Sequence, residues 1–348
     1  MIFRLWLALL LAAGGAAEAD EVQVTRGKTL FDRGWSVESD GLGPLYNAIS
    51  CAECHPGGGA APADLGIVVR FPPDPLRGRQ LQTRAVQGVT PEVMPDASTG
   101  KRRAPSIRGV GLLARIAPAD LKADPDDADG DGIVGRIGAG RFGWKAVFPN
   151  LREQIASALH TDLGLSSPDF PDPWGDCTVE QVECRTAAGP PRIEIDAPDL
   201  AALVAYVGST RPRSATPAND AGLALFERTG CAGCHRPSYR IPADPAVVGV
   251  GQEVIYPFTD LLLHDMGSDL AEPFDDDGVS GREWRTPPLW DLGLALAQPR
   301  PMLLHDGRAA TIDEAIRWHG GEAGAARATY LALPDSERQQ LLGFLARL

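Results

Sequence analysis

Two short segments hold residues whose order points to joint chemistry: Cys51-Ala52-Glu53-Cys54-His55 and Cys231-Ala232-Gly233-Cys234-His235. In a C-x-x-C-H sequence the two thiols can add to the vinyl groups of a haem, and the histidine beside them can bind its iron from the proximal face. A single match also suits a dithiol or part of a zinc site. Zinc wants four neighbouring ligands, and no further Cys-x-x-Cys pair supplies them. Two matches, each with its histidine, predict two covalently bound c-type haems. The remaining cysteines, Cys177 and Cys184, are free to form a disulfide in an oxidising compartment.

The elements that must position these residues read as helices. ANDAGLALFERTG at 218–230 has the apolar spacing of a short helix leading into the second motif. PDSERQQLLGFLARL at 334–348 reads as a terminal helix, capped by Asp335 or Ser336, with Leu341, Leu342, Phe344 and Leu345 on its apolar face. The motifs lie far apart, so each is expected in its own helical domain. The predicted fold is mainly α: a cytochrome c-like domain over 20–210 with an inserted acidic loop, and a second over 211–348. The Pro- and Ser-containing segment RPRSATPAN at 211–219 marks the boundary. The 30 prolines and 39 glycines among 348 residues predict long irregular connections.

The first twenty residues place Arg4 before an apolar run from Leu5 to Ala13, then small residues with Ala17 and Ala19 spaced for cleavage. That pattern predicts a signal peptide over 1–19, removed near Ala19, and a periplasmic mature chain with no transmembrane segment. A retained anchor is the alternative. A net charge of −13 argues against a nucleic-acid surface, which needs a basic patch, and suits a basic redox partner. In DPDDADGDGIVGR at 124–136, Asp127, Asp129 and Asp131 alternate before Gly132, like the first half of a calcium loop. The twelfth position holds Gly138 rather than glutamate, so Ca2+ and a solvated loop both remain open.

DADGDGIVGR at 127–136, GRFGWKA at 140–146, GREWRTPPLWDLG at 281–293 and LLHDGRAATIDEAIRWHGGEA at 303–323 carry a wider pattern. With these stretches the chain resembles the bacterial di-haem cytochrome c peroxidase superfamily, which includes MauG-type enzymes. Within it the chain looks closest to the di-haem oxidoreductase branch, also termed thiol oxidoreductases. The resemblance implies that the haem of the first domain reacts with hydrogen peroxide and that of the second relays electrons. His55 and His235 are then the proximal ligands. The relay haem's distal ligand lies fourteen residues after the histidine of an HDG motif, which from His305-Asp306-Gly307 leads to His319. The helix TIDEAIRWHGG, ended by Gly320 and Gly321, agrees by letting His319 project from its last turn. An ordinary hydrogen-bonded histidine is the alternative. Two imidazoles lower a haem's potential relative to an imidazole–thioether pair.

No histidine stands between His55 and His160, so the reactive haem is expected to keep an open sixth position, with Met94 a candidate thioether. Trp144 and Gln154 keep the spacing of the superfamily's inter-haem tryptophan and its glutamine, with Leu151 in register. The superfamily's catalytic carboxylate falls on Gly164. His160 and Asp162 are the nearby candidates for a distal acid–base pair, which peroxide cleavage needs. His264 is expected as a polar haem-pocket residue, and Arg285, with Arg282 and Arg308, as a propionate partner. The implied function is a peroxidase or MauG-like oxidation, with a small periplasmic redox protein, a protein or a small molecule giving electrons. The alternatives are an electron-transfer cytochrome with both irons six-coordinate, and a haem-bearing assembly factor. The scaffold does not fix the substrate.

Overall fold

The computed structural model describes residues 21–348 apart from 63–64, 97, 129, 190–191, 215–220 and 244–251. The expected signal peptide, residues 215–219 of the expected boundary, and Asp129 lie outside the described residues. Helix is the predominant regular structure. In chain order the first half forms α1 (21–32), α2 (Val37–Asp40), α3 (Cys51–Cys54), α4 (Val110–Ala114), α5 (Leu151–Asp162), α6 (Val182–Ala187) and α7 (Ala197–Ser209). The second half forms α8 (Ala221–Arg228), α9 (Leu292–Leu296), α10 (Ile312–Trp318), α11 (Gly324–Ala332) and α12 (Asp335–Leu345).

Side-chain caps start the longer helices. Asn150 accepts the Glu153 N–H (3.0 Å) at the head of α5, and Asp196 accepts that of Asp199 (2.8 Å) at the head of α7. Ala156 and Leu159 of α5 and Leu200, Leu203 and Val207 of α7 recur at helical spacing and bury against Leu30 and Phe31 of α1. Helix α1 crosses α7 at Gly27, where any Cβ would lie 1.9 Å from the Ala202 carbonyl oxygen, so only glycine permits the approach. Cys51 and Ala52 pack on this core. A second core joins Leu225 and Phe226 of α8 to Tyr330, Leu341, Phe344 and Leu345, with Cys231 and Ala232 packed on it. A third cluster draws Leu112, Leu113 and Phe142 from one half and Tyr239, Ile241 and Trp290 from the other.

The terminal helix buries Leu341, Phe344 and Leu345 as expected, but its cap differs. Pro334 stands at the cap and makes no side-chain bond, and Asp335 is already helical. Proline's fixed φ suits an extended entry, and the Asp335 carboxylate turns to Arg338 instead (3.4 Å).

Short strands not foreseen in the sequence complete the fold: β1 (Leu45–Tyr46), β2 (Ile67–Asp74), β3 (Gly78–Gln80), β4 (Arg84–Ala85), β5 (Gly100–Arg103), β6 (Tyr239–Ile241), β7 (Glu253–Ile255), β8 (Leu263–Asp265) and β9 (Glu283–Arg285). They pair antiparallel as β1–β4, β3–β2–β5, β6–β7 and β8–β9. Buried ion pairs bind the halves across this region. Arg102 meets Glu272 (2.6 Å) and Asp276 (2.8 Å), and Arg70 meets Asp276 (3.1 Å). Removing one partner of such a pair strands a buried charge. Cys177 and Cys184 form the expected disulfide, with Cα atoms 6.2 Å apart. Among the described residues, no helix is long and apolar enough to cross a membrane.

Candidate active site

Helix α8 ends at Arg228, and Gly230, with a left-handed φ of 84°, turns the chain into the 3₁₀ turn Cys231–Gly233. The first motif starts differently, on the Ser50 cap of the α-helical turn α3. The His235 N–H donates to Cys231 O (2.9 Å), and the His55 N–H makes the same bond to Cys51 O (2.9 Å), so this closing bond is common to both motifs. Both imidazoles are held alike as well. His55 Nδ1–H donates to Pro105 O (2.9 Å) and His235 Nδ1–H to Phe258 O (2.9 Å). A carbonyl can only accept, so each ring is the Nδ1–H tautomer and keeps its Nε2 lone pair for a metal. His319 repeats the arrangement, with Nδ1–H donating to Ala315 O (2.8 Å). It caps α10 in extended conformation, one residue past the last turn where the sequence put it.

His235 and His319 line the same cavity of about 430 Å³, together with Cys231 and Cys234. Burial lowers the pKa of each ring, for His235 to about 4 with a further push from His319. Both are therefore neutral, as metal-binding imidazoles must be. His264 lines the cavity too but has no free nitrogen. Its Nε2–H donates to Asp260 (2.9 Å) and its Nδ1–H to Glu322 (2.7 Å). Burial opposes its charge, yet bonds to Asp260, Cys234 and Glu322 push it up to about 12. It is a clamped imidazolium, suited to a polar pocket role and not to axial ligation.

Around the first motif, Cys51, Cys54, His55 and Asp162 each keep some accessible surface although surrounding protein shifts their pKa values. They line a recess. Burial raises Asp162 to about 6, and Gln80 Nε2 donates to its Oδ1 (2.7 Å). The Asp162 charge also acts on both Cys51 and Cys54. The structure separates Asp162 from His160, because residues two apart on a helix face opposite ways. His160 stacks on Phe170 (4.9 Å), with Nδ1 buried and unpartnered among the described residues. Gly164 has φ of +66°, and a Cβ there would lie 2.7 Å from Leu45 O, so no acidic side chain could stand at that position. Met94 is 53% exposed in a loop.

Between the motifs, Trp144 lines the cavity and its Nε1–H donates to Arg103 O (2.8 Å). It meets His305 edge-on (6.5 Å), and His305 stacks on Trp284 (3.6 Å) with Lys145 Nζ over the far ring (3.6 Å to its centroid). Gln154 sits behind the same turn: a Cβ on Gly143 would lie 3.2 Å from its Oε1. Arg285 Nε donates to Gly143 O (2.8 Å), and burial lowers its pKa to about 10. Arg103, bonded to Met302 O and Ala61 O, has a buried Nε with no partner. Among the described residues no carboxylate pairs with either guanidinium, and both line the cavity. Two buried cations without anions fit the propionates of haem, and the four unpaired thiols and three free Nε2 atoms fit its attachment. Arg282 and Arg308 instead pair with Asp265 and Asp306 at the surface.

In the acidic loop, Asp127 accepts the Gly132 N–H (3.0 Å) and Asp131 that of Ile133 (2.8 Å), so each commits an oxygen to the turn. The loop packs over the second motif, where Ile133 Cδ1 lies 2.5 Å from any Cβ on Gly233. Val134 and Gly135 N–H groups bond Glu322 just beyond His319.

A family model described as "Di-haem oxidoreductase, putative peroxidase" matches residues 79–348. The chain belongs to this family. Two solved structures are similar to the di-haem oxidoreductase chain. One is hydrazine synthase from Kuenenia stuttgartiensis under xenon pressure: 17% identity, TM-score 0.41, 94% of this chain and 87% of that one. The other is a MauG-like protein associated with microbial copper homeostasis: 18% identity, TM-score 0.44, 94% of this chain and 89% of that one. No curated protein matches. The family assignment supports haem as the cofactor class. The sequence left several residues of this family member unmarked: Arg103 and Trp284 line the cavity, Asp260 and Glu322 hold His264, and Gln80 holds Asp162. Apart from Asp260, four residues before His264, each makes its contact across a long stretch of sequence, which local pattern does not show.

Proposed function

We propose that this chain is an exported, periplasmic di-haem enzyme that reduces hydrogen peroxide at a site on Cys51, Cys54 and His55, and passes electrons through a second site on Cys231, Cys234, His235 and His319. A division near residue 211, with one cytochrome c-like unit on each side, goes with this reading. The observation that carries it is the unequal use of equal imidazoles. His235 has His319 in its cavity, whereas the first motif has a carboxyl group, Asp162, whose charge acts on its two cysteines.

The bound haems would supply redox-active iron, held by His55 at the first site and by His235 and His319 at the second. The chain's own residues do the rest. The carbonyls of Pro105, Phe258 and Ala315 hold the three Nε2 atoms in place. Asp162, ionised above about pH 6, can take a proton from peroxide and return it to the departing oxygen. Overall, hydrogen peroxide, two protons and two electrons give two waters, with the electrons from a small redox protein, a protein side chain or a small molecule. Trp144 would carry electrons between the sites. Arg103 and Arg285 would bind propionates. Burial pushes Cys51 and Cys54 up to about 12, which disfavours thiolate chemistry there.

The deciding experiment is electron paramagnetic resonance of the purified ferric protein before and after one equivalent of hydrogen peroxide. One high-spin and one bis-histidine low-spin signal are expected, with the high-spin signal consumed by peroxide. Two low-spin signals indifferent to peroxide, as isolated and half-reduced, would leave an electron carrier.

A further inference from the structure

Peroxide reduction consumes protons as well as electrons, and the first motif lies beside an unusual set of acids. Asp162 is partly buried, and its charge acts on Cys51 and Cys54. Behind it, Gln80 (4% exposed) gives its Nε2–H to Asp162, and the Arg79 main-chain N–H donates to Asp176 Oδ2 (3.3 Å). Two residues past Gln80, the Gln82 N–H donates to Glu92 Oε2 (2.7 Å), and Gln181 Nε2–H to Glu92 Oε1 (2.7 Å). Glu92 is half-buried, and the next residue, Val93, is 67% exposed, so this carboxyl stands where the protein meets water.

Gln80 and Gln82 both give an Nε2–H to Thr161 O (3.4 and 2.5 Å), which brings the Glu92 end of the set up to Asp162. The Asp176 charge acts on Asp162 and also on Glu92. Burial raises all three: Asp162 to about 6, Glu92 to about 7, and Asp176 in the same direction. The charged groups that face them are Arg70 at Asp162, Arg70 and Arg79 at Asp176, and Arg77 at Glu92, and their pull does not cancel the burial. Asp162 and Glu92, with values near neutrality, can both give and take a proton in the working range, and burial moves Asp176 toward that range.

A second, independent feature lies among them. Gln82 is 2% exposed, with its N–H on Glu92 and its Nε2–H on Thr161 O (2.5 Å), yet among the described residues its Oε1 has no donor. A buried acceptor left open in this way is where an ordered water binds.

We propose that Glu92, Asp176 and Asp162 form a proton path from the surface to the first attachment site, with a water on Gln82 Oε1 as one of its steps. Each step moves one proton from a carboxylic acid to the next carboxylate, and Glu92 regains its own from solvent. Two such passages match the two protons that each peroxide consumes. The proposal rests on the peroxide reading of the first site, and it assigns roles to Glu92, Asp176 and Gln82 that the resemblance does not supply.

The test compares the haem-loaded full chain with its Glu92→Gln and Asp176→Asn variants. In the first encounter with peroxide Asp162 takes and returns the same proton, so the second-order rate of that step should stay at the wild-type value. Turnover, which needs protons from outside, should fall about tenfold at pH 7, a loss of the size that positioned proton transfer supports. Its pH profile should lose the limb near 7, and its solvent deuterium isotope effect should rise. Wild-type turnover, pH profile and isotope effect in both variants would overturn the path. If the wild-type protein itself ignores peroxide, the functional reading fails, and the path is judged by infrared difference spectra recorded on reducing the haems. A carboxyl band that responds to reduction and vanishes in Glu92→Gln supports it, and identical spectra overturn it.

Discussion

The two C-x-x-C-H segments, one an α-helical turn and the other a 3₁₀ turn, hold their histidines alike and differ more in what surrounds them. Each places a histidine N–H on the carbonyl of its first cysteine at 2.9 Å and ties the imidazole through Nδ1 to a distant carbonyl. The second then faces a pocket that is finished. His319 is locked by Ala315 O, His264 is clamped between two carboxylates, and no proton in that set is free to move at neutral pH. Beside the first stands Asp162, whose charge acts on Cys51 and Cys54, an acid held by one amide and poised near 6. On the proposed reading the binding nitrogen would be fixed alike at both sites, and the groups around it would decide between passing electrons and moving protons.

The comparison breaks most completely at His319. Replacing it with alanine leaves His235 without a partner imidazole, so the bis-histidine signal should disappear and a second high-spin signal take its place. A low-spin spectrum that survives His319→Ala would mean that another group faces His235. Next in size is Asp162→Asn, which keeps the bond from Gln80 but cannot take a proton. Its rate with peroxide should fall about 100- to 1,000-fold, within the range for a positioned acid–base group. In the wild type that rate should rise as pH climbs through about 6, because the carboxylate is the active form. In the variant it should be flat, with the second site's spectrum unchanged. Trp144→Phe sharpens the comparison by touching neither end. It keeps the ring but loses the bond to Arg103 O, and electron exchange between the sites should slow about tenfold, read by flash reduction. An unchanged rate would point to the His305–Trp284 stack as the route instead.

The sequence made the proximal chemistry legible because that chemistry is local. Two cysteines, a histidine and the turn between them sit within five residues, and α8, which leads into the second motif, showed in its apolar spacing. The disulfide was readable by elimination once the other four cysteines had a use. The fourteen-residue step to His319 and the ten-residue step from Trp144 to Gln154 came through family resemblance, and the structure puts each pair's members at one cavity or one turn. What stayed hidden is long-range. The strands are two to eight residues long, and several pair across many residues, as β2 does with β5. Their existence follows from pairing rather than from any alternating run. His160 and Asp162 looked equivalent as neighbours in sequence, and only the helix separates them. Gly164 looked like a missing acid, whereas its positive φ against Leu45 O leaves no room for one.

The smallest effect expected is on stability, and it separates the sites by sign. Asp162 has a folded-state pKa of about 6, above its ordinary 3.8, so the folded chain binds its proton more tightly than the unfolded one. Its favourable contribution is full below pH 3.8 and is lost as pH rises through 6, where burying the carboxylate starts to oppose folding. Asp162→Asn should therefore raise stability at pH 8 by on the order of 1–3 kcal/mol and change it little at pH 3.5, measured by denaturant melts of the haem-loaded protein. His264 runs at the other site through a different cause, since its carboxylate partners stabilise a charge that the Asp162 recess destabilises. His264→Gln should lower stability at pH 6, with the deficit shrinking as pH rises from 6.5 toward 12. Should Asp162→Asn prove destabilising at pH 8, the recess is not a desolvated one, and Asp162 would be an ordinary structural acid rather than a group kept at a cost to folding for its proton.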